Sequence, residues 1–225
     1  MSATERQAAA SPTIAVVDYD MGNRRSVEKA LARAGARALV TRDRRALMDA
    51  DALVLPGVGA FPSGAASLRR SGLDDLLCER VRAGTPLLGI CLGMQLLFEA
   101  SEELGVQTSG LGLIAGRVRA LRAGGLRLPH IGWSEVRFER GSPLTNRLPD
   151  AGAPFYHVHT YVAEPADAQA VIGTAEYGER FATLVAHGGV FGTQFHPEKS
   201  SNDGLVLLES FVALAQAHRQ QALAA

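Results

Sequence analysis

Residues 85–100 read TPLLGICLGMQLLFEA, and this stretch decides the fold. Its first half is a short apolar run, the composition of a strand buried on both faces. Its second half is helical in composition, and the switch falls at Gly89-Ile90-Cys91-Leu92-Gly93. Glycines flanking a central nucleophile relieve the crowding of a sharp strand-to-helix turn, so the middle side chain stands free on the turn. G-x-C-x-G is the thiol form of that elbow. In it the Leu92 amide faces the same point as Cys91 and can donate to an oxyanion. The start of the helix favours negative charge there. A cysteine in an apolar run is also an ordinary core residue. The flanking glycines and the change of period favour the nucleophile. Cys78 has no such setting and reads as core or helix filler.

Outward from this elbow, further short apolar runs at 13–17, 38–41 and 52–55 alternate with helical patterns at 27–33, 44–49 and 67–83. Such alternation implies a parallel sheet covered by helices on both faces. After residue 117 the pattern changes. Segments 117–121, 136–138, 155–161, 171–176, 184–186 and 190–195 read as strands joined by short turns, and 205–218 reads as a closing helix. There is no internal repeat and no long linker. The expected architecture is one α/β domain over 13–219, with a smaller β-rich second half, a tail at 1–12 and another at 220–225.

A thiol nucleophile needs a base. His196 lies in Gln194-Phe195-His196-Pro197-Glu198-Lys199, just past a strand whose C-terminal end is where open α/β sheets build sites. Pro197 biases His196 toward an extended backbone, and in an extended segment residues two apart point the same way. Glu198 is thereby expected to hold one imidazole nitrogen and leave the other for Cys91. A surface His-Pro-Glu turn is the plainer alternative. Pro56-Gly57-Val58-Gly59-Ala60-Phe61 follows the run at 52–55. Its glycines allow a tight turn that presents a backbone amide, as a second oxyanion donor or as an ordinary loop.

Composition narrows the classes. The chain has 225 residues and 23.8 kDa, the size of one domain. It is 47% hydrophobic and 20% charged, which excludes overall disorder. Its 23 basic residues balance 23 acidic ones, so no global field draws it to nucleic acid or an anionic membrane. Two cysteines make neither a zinc cluster nor a secreted disulfide framework. No apolar run is long enough to span a bilayer, and 1–12 does not read as a signal peptide. A soluble cytoplasmic protein is expected. His130 and His159 have no histidine or carboxylate at i+3 or i+4, so no metal is expected. No cofactor is expected either.

The elbow cysteine followed at a distance by His-x-Glu is the order of the class I (triad) glutamine amidotransferases. Within that class the chain resembles the glutaminase subunits of imidazole glycerol phosphate synthase, from histidine biosynthesis. The resemblance covers about residues 14–211. It is carried by DYDMGNRRSV from Asp18, PGVGAF from Pro56, GICLGMQLLFE from Gly89, GLGLIAGRV from Gly110, HIGW from His130, HVHTY from His157 and QFHPEKSS from Gln194.

The resemblance implies the flavodoxin-like, three-layer fold of that class, with a mainly parallel central sheet. It implies Cys91 as nucleophile, His196 as base and acid, and Glu198 as its orienter. Val58, Gly59 and Leu92 would bind the oxyanion. Gly59, Gln95, Glu103, Thr160 and Tyr161 match positions that hold the substrate glutamine. Trp133, Tyr156 and Lys199 match positions facing a separate cyclase subunit, which in such heterodimers receives the ammonia. Asp20, Arg24, Ser134 and His157 depart from residues usual in the family, which are glycine, leucine, asparagine and an aromatic. Two other functions fit the same features: the glutaminase subunit of another amidotransferase, such as pyridoxal phosphate synthase, and a non-catalytic binding module of this fold.

Overall fold

Burial along strand β1 (Thr13–Val17) sets the layers, since Ile14 and Val16 face one core and Ala15 and Val17 the other. A strand buried on both sides needs a layer on each. The computed structural model describes residues 11–224 and supplies both. After β1 come α1 (Arg24–Arg33), β2 (Arg37–Thr41), α2 (Arg44–Met48), β3 (Ala52–Leu55), α3 (Phe61–Ser71), α4 (Leu73–Arg82), β4 (Leu87–Ile90) and α5 (Leu92–Leu96). They are followed by β5 (Phe98–Ser101), β6 (Thr108–Ser109), β7 (Ile114–Ala120), β8 (His130–Phe138), β9 (Ala153–His159) and β10 (Tyr161–Pro165). The chain ends with β11 (Val171–Tyr177), β12 (Glu179–His187), β13 (Val190–Thr193) and α6 (Ser201–Ala224).

Strands β2-β1-β3-β4-β13 lie parallel in that order. Beyond β13 the sheet continues antiparallel through β12, β10 and β7. β5 then runs parallel to β7, and β6 pairs with β5. A branch leaves β12 through β11 to β8, which forms a hairpin with β9. On one face Val27 and Leu31 of α1 meet Leu207, Leu208 and Phe211 of α6. On the other, Leu68 of α3 joins Leu73, Leu76 and Leu77 of α4. Each such side chain, fully buried, contributes about 2 kcal/mol of hydrophobic stabilisation. The expected α/β architecture with its mostly parallel central sheet is present.

Several boundaries differ from the sequence reading. The helix expected over 67–83 is two helices, broken at Gly72 in a left-handed conformation (φ 62°). The apolar spacing carries across the break because Leu68 and Leu73 reach the same core. The strand expected at 155–161 divides at Thr160, where the chain leaves β8 and begins to pair with β7. The helix after Cys91 ends at Leu96, and Phe98 already belongs to a strand. The closing helix is longer than 205–218, so 220–224 continue it and are not a tail. An alanine- and glutamine-rich end without a breaker favours that continuation. Most of the expected N-terminal tail, 1–10, lies outside the described residues. Pro12 is already tied in, its carbonyl accepting from the Arg37 amide at 2.9 Å.

The tightest backbone approach lies between α5 and β3. A Cβ on Gly93 would sit 1.7 Å from the Leu55 carbonyl oxygen, whereas one on Gly72 meets nothing within 4 Å. Gly93→Ala is therefore expected to cost about 3 kcal/mol or more by overpacking, and Gly72→Ala only about 1 kcal/mol through its left-handed backbone. Urea unfolding of the two variants checks this; equal losses would refute the packing account.

Candidate active site

Cys91 sits between β4 and α5 with φ 54° and ψ −110°, a conformation that side chains other than glycine rarely adopt. The flanking glycines permit it. A Cβ on Gly89 would lie 2.6 Å from the Gly93 carbonyl oxygen, and Gly93 is pressed on β3. The Cys91 amide donates to the Thr193 carbonyl of β13 at 2.7 Å, which ties the elbow to the strand leading to His196. The expected sharp turn is thus formed.

His196 follows β13, and its amide donates to the Tyr156 carbonyl at 2.9 Å. Its Nδ1 lies 2.8 Å from Glu198 Oε1, and both side chains are fully buried. The pairing is the expected one, and His196 has the expected extended backbone (φ −102°, ψ 95°), but the segment does not stay extended. Glu198 lies on a 3₁₀ turn, Pro197–Lys199, so His196 and Glu198 meet across a tight turn and not along an extended segment. Burial opposes charge on His196, yet the Cys91 sulfur and the Glu198 carboxylate outweigh it and raise its pKa to about 9. Burial likewise opposes charge on Glu198, and the hydrogen bonds from His196 and Asn23 overcome it and lower its pKa. With Nδ1 donating to Glu198, the Nε2 atom is the one left to exchange a proton at sulfur.

A pocket of about 260 Å³ opens beside Cys91, lined by Val58, Gly59, Leu92, Gln95, Glu103, Thr160 and Tyr161 among others. Every expected substrate-binding residue reaches it. Glu103 has a structural task as well, since its Oε2 accepts the Phe61 amide at 2.7 Å at the start of α3. Gln95 donates to the Tyr161 carbonyl (3.1 Å) and to Gln194 Oε1 (3.0 Å). Gln194, fully buried, turns its own amide to Cys91 Sγ at 3.8 Å. Nothing local in the sequence singles Gln194 out, because its contact with Cys91 spans 103 residues of chain.

The amides expected to bind an oxyanion are not all open. The Leu92 amide donates to the Gly57 carbonyl at 3.3 Å. Gly57 is held from below by Tyr19, whose hydroxyl donates to the Pro56 carbonyl at 2.7 Å and fills the space a Gly57 side chain would need. Burial, reinforced by the charge on Cys91, raises the pKa of Tyr19, so it stays a neutral donor.

Trp133 and Tyr156 are cross-strand partners on the β8–β9 hairpin, their rings 6.2 Å apart and edge to face. Trp133 is 53% exposed, and Ile131 beside it 60%. Lys199 is also exposed. The hairpin's inner side carries His130, His157 and His159, all buried. His130 Nδ1 and His159 Nε2 are 3.3 Å apart, and His157 Nε2 lies 2.7 Å from Thr183 Oγ1. Burial lowers the pKa of all three, that of His157 to about 3. Among the described residues no group of three His, Cys, Asp or Glu side chains is placed to hold a metal, and no helix is long and apolar enough to cross a membrane.

Comparison with known proteins follows the same lines. The family model for class-I glutamine amidotransferases matches residues 15–214. Imidazole glycerol phosphate synthase subunit HisH of Bacillus cereus is 48% identical over 210 residues, covering 93% of this chain and 99% of the relative. The subunit HisH of Moorella thermoacetica is 48% identical over 203 residues, 90% and 95% of the two chains. Among solved structures, a glutamine amidotransferase superposes with a TM-score of 0.70 at 25% identity, over 89% of this chain and 98% of its own. PurLQS from Thermotoga maritima shares the fold, with a TM-score of 0.72 at 21% identity over 90% and 98%.

The three histidines on the hairpin's inner side make stability depend on acid. Each is neutral when folded and takes a proton when unfolded below about pH 6.5, so the unfolded state binds more protons as pH falls. The contribution of these three to stability is therefore full above about pH 6.5 and declines below it, for His157 by about 1.4 kcal/mol per pH unit down to about pH 3. His196, raised to about 9, runs the other way, and its contribution is lost as pH rises through 9. His157→Phe, which removes one of them, should flatten the slope of unfolding free energy between pH 6 and 4. Urea titrations across that range test it, and an unchanged slope would show that His157 is not held neutral.

Proposed function

The chain belongs to the class-I glutamine amidotransferase family, and on that premise we propose that it is the glutaminase subunit of an imidazole glycerol phosphate synthase. The observation that carries this reading is the buried His196–Glu198 pair set against Cys91 on a strained elbow. The near full-length similarity to HisH subunits names the synthase. The intact pair also speaks against a non-catalytic module.

The reaction is hydrolysis of the glutamine side-chain amide. The Cys91 thiolate attacks the carbonyl carbon, and backbone amides hold the tetrahedral oxyanion. His196 gives its proton to the departing nitrogen, the carbon–nitrogen bond breaks, and ammonia leaves a thioester. Water, deprotonated by His196, then splits the thioester to glutamate and returns the sulfur. Glu198 keeps the imidazole in the right tautomer and stabilises its charged form. Gln95, Glu103, Thr160 and Tyr161 position the substrate, with the Glu103 carboxylate suited to an ammonium group.

The ammonia passes to a cyclase subunit that forms imidazole glycerol phosphate and aminoimidazole carboxamide ribotide. Trp133, Tyr156 and Lys199 form the docking face. Two short links run from it to the triad: the Tyr156 carbonyl holds the His196 amide at 2.9 Å, and the Lys199 amide donates to the His196 carbonyl at 3.0 Å. Docking also frees the oxyanion site. Rotating the Gly57–Val58 peptide withdraws the Gly57 carbonyl from Leu92 and turns the Val58 amide inward. Alone, with that peptide unturned, the subunit is slow and wastes little glutamine.

Cys91→Ala should abolish glutamine hydrolysis while the complex still makes product from added ammonia; wild-type glutaminase in this variant would refute the nucleophile. Glu198→Gln should lose less kcat than His196→Ala, because the carboxylate orients and does not itself shuttle the proton; the reverse order would mean another role for Glu198. Trp133→Ala and Lys199→Ala should weaken assembly or the stimulation of hydrolysis by cyclase and its nucleotide. Rates with and without the partner test this. A fully active isolated wild-type subunit, or two variants stimulated like wild type, would overturn the coupling.

A further inference from the structure

The Glu198 side chain is fully buried and only half satisfied. Its Oε1 accepts from His196, while Oε2 is buried with no hydrogen-bond partner among the described residues. A third side chain reaches Oε1. Asn23 Nδ2 lies 2.8 Å from it and 3.3 Å from His196 Nδ1. With Nδ1 protonated, the second contact is a close approach of two donors, so the amide's one bond here is to the carboxylate.

Asn23 precedes α1 as its N-cap residue, where an asparagine side chain ordinarily accepts from the first helical amides. Here it makes no such bond, and only its backbone carbonyl starts the helix, accepting from Val27. The side chain is turned toward the triad instead, from a left-handed backbone (φ 78°) that asparagine tolerates better than most residues. Charged residues on either side of it pair with one another and leave its amide to the triad. Asp18 pairs with Arg24 and Arg42, and Asp20 pairs with Arg42 at 2.6 Å. Asp20 is itself at φ 66°.

We infer that Asn23 is a positioning residue of the triad, a donor that orients the Glu198 carboxylate and through it the His196 imidazole. This rests on the glutaminase reading above. Asn23 does not line the substrate pocket. Its loss therefore acts on turnover and not on glutamine binding.

The test uses Asn23→Gly and Asn23→Asp in complex with the cyclase, with glutaminase rates measured over a range of glutamine concentrations. Glycine keeps the left-handed backbone and removes the amide. It should lower kcat about tenfold, with KM changed less than about twofold. Aspartate keeps the shape and the backbone tolerance but sets a second carboxylate against Glu198. It should be worse than glycine, since two adjacent carboxylates cannot both stay ionised. Wild-type kcat in Asn23→Gly, or an Asn23→Asp enzyme as active as wild type, overturns the inference alone. A wild-type complex without glutaminase activity overturns the underlying reading with it.

Discussion

The Leu55 carbonyl oxygen leaves no room for a side chain at Gly93. That contact seats α5 directly on the end of β3, and the rest of the site depends on it. The loop after β3 begins at Pro56, so its peptides necessarily lie beside the first amide of α5. The Cys91 amide is anchored on the other side, to β13. Three neighbouring strand ends thereby bring the sulfur, the loop after β3 and His196 to one edge of the sheet, the place where open α/β sheets collect ligands. A larger residue at Gly93 would move all of these together.

The β8–β9 hairpin has two unlike sides. Inward it presents His130, His157 and His159, whose burial holds them neutral. Outward it presents Ile131 and Trp133. Ser200 ties this hairpin to the triad segment, donating to the His196 carbonyl at 2.7 Å and accepting from the Tyr156 amide at 3.0 Å. A displacement of the hairpin is thus felt at His196 through bonded backbone, without crossing soft packing.

How much was legible in the sequence follows from how local each signal is. The elbow is local, because Gly89 and Gly93 flank the cysteine they serve, and its geometry was readable. The layers were readable from short apolar runs such as 13–17 and 52–55. Gly72 was not read as a break, because the leucines on either side share one core and keep the helical spacing intact. His196 and Glu198 were paired correctly, and His196 is extended as Pro197 favours, but the 3₁₀ turn over Pro197–Lys199 that brings Glu198 round left no local signal. Asn23 and Gln194 carried no local signal. A Gly-Asn before a helix reads as a cap, and its link to Glu198 spans 175 residues of chain.

The bond between the Leu92 amide and the Gly57 carbonyl bears on inhibitor choice. Tetrahedral mimics of the reaction, such as glutamine-like aldehydes, draw their affinity from oxyanion donors. Against a subunit whose donor is already occupied, their apparent affinity drops by the fraction of molecules with the donor free. Alkylating glutamine analogues react with the sulfur and form no oxyanion, so that bond does not hinder them. With the donor freed on docking, as proposed above, the first class would discriminate between the assembled and the isolated enzyme, and the second would label both.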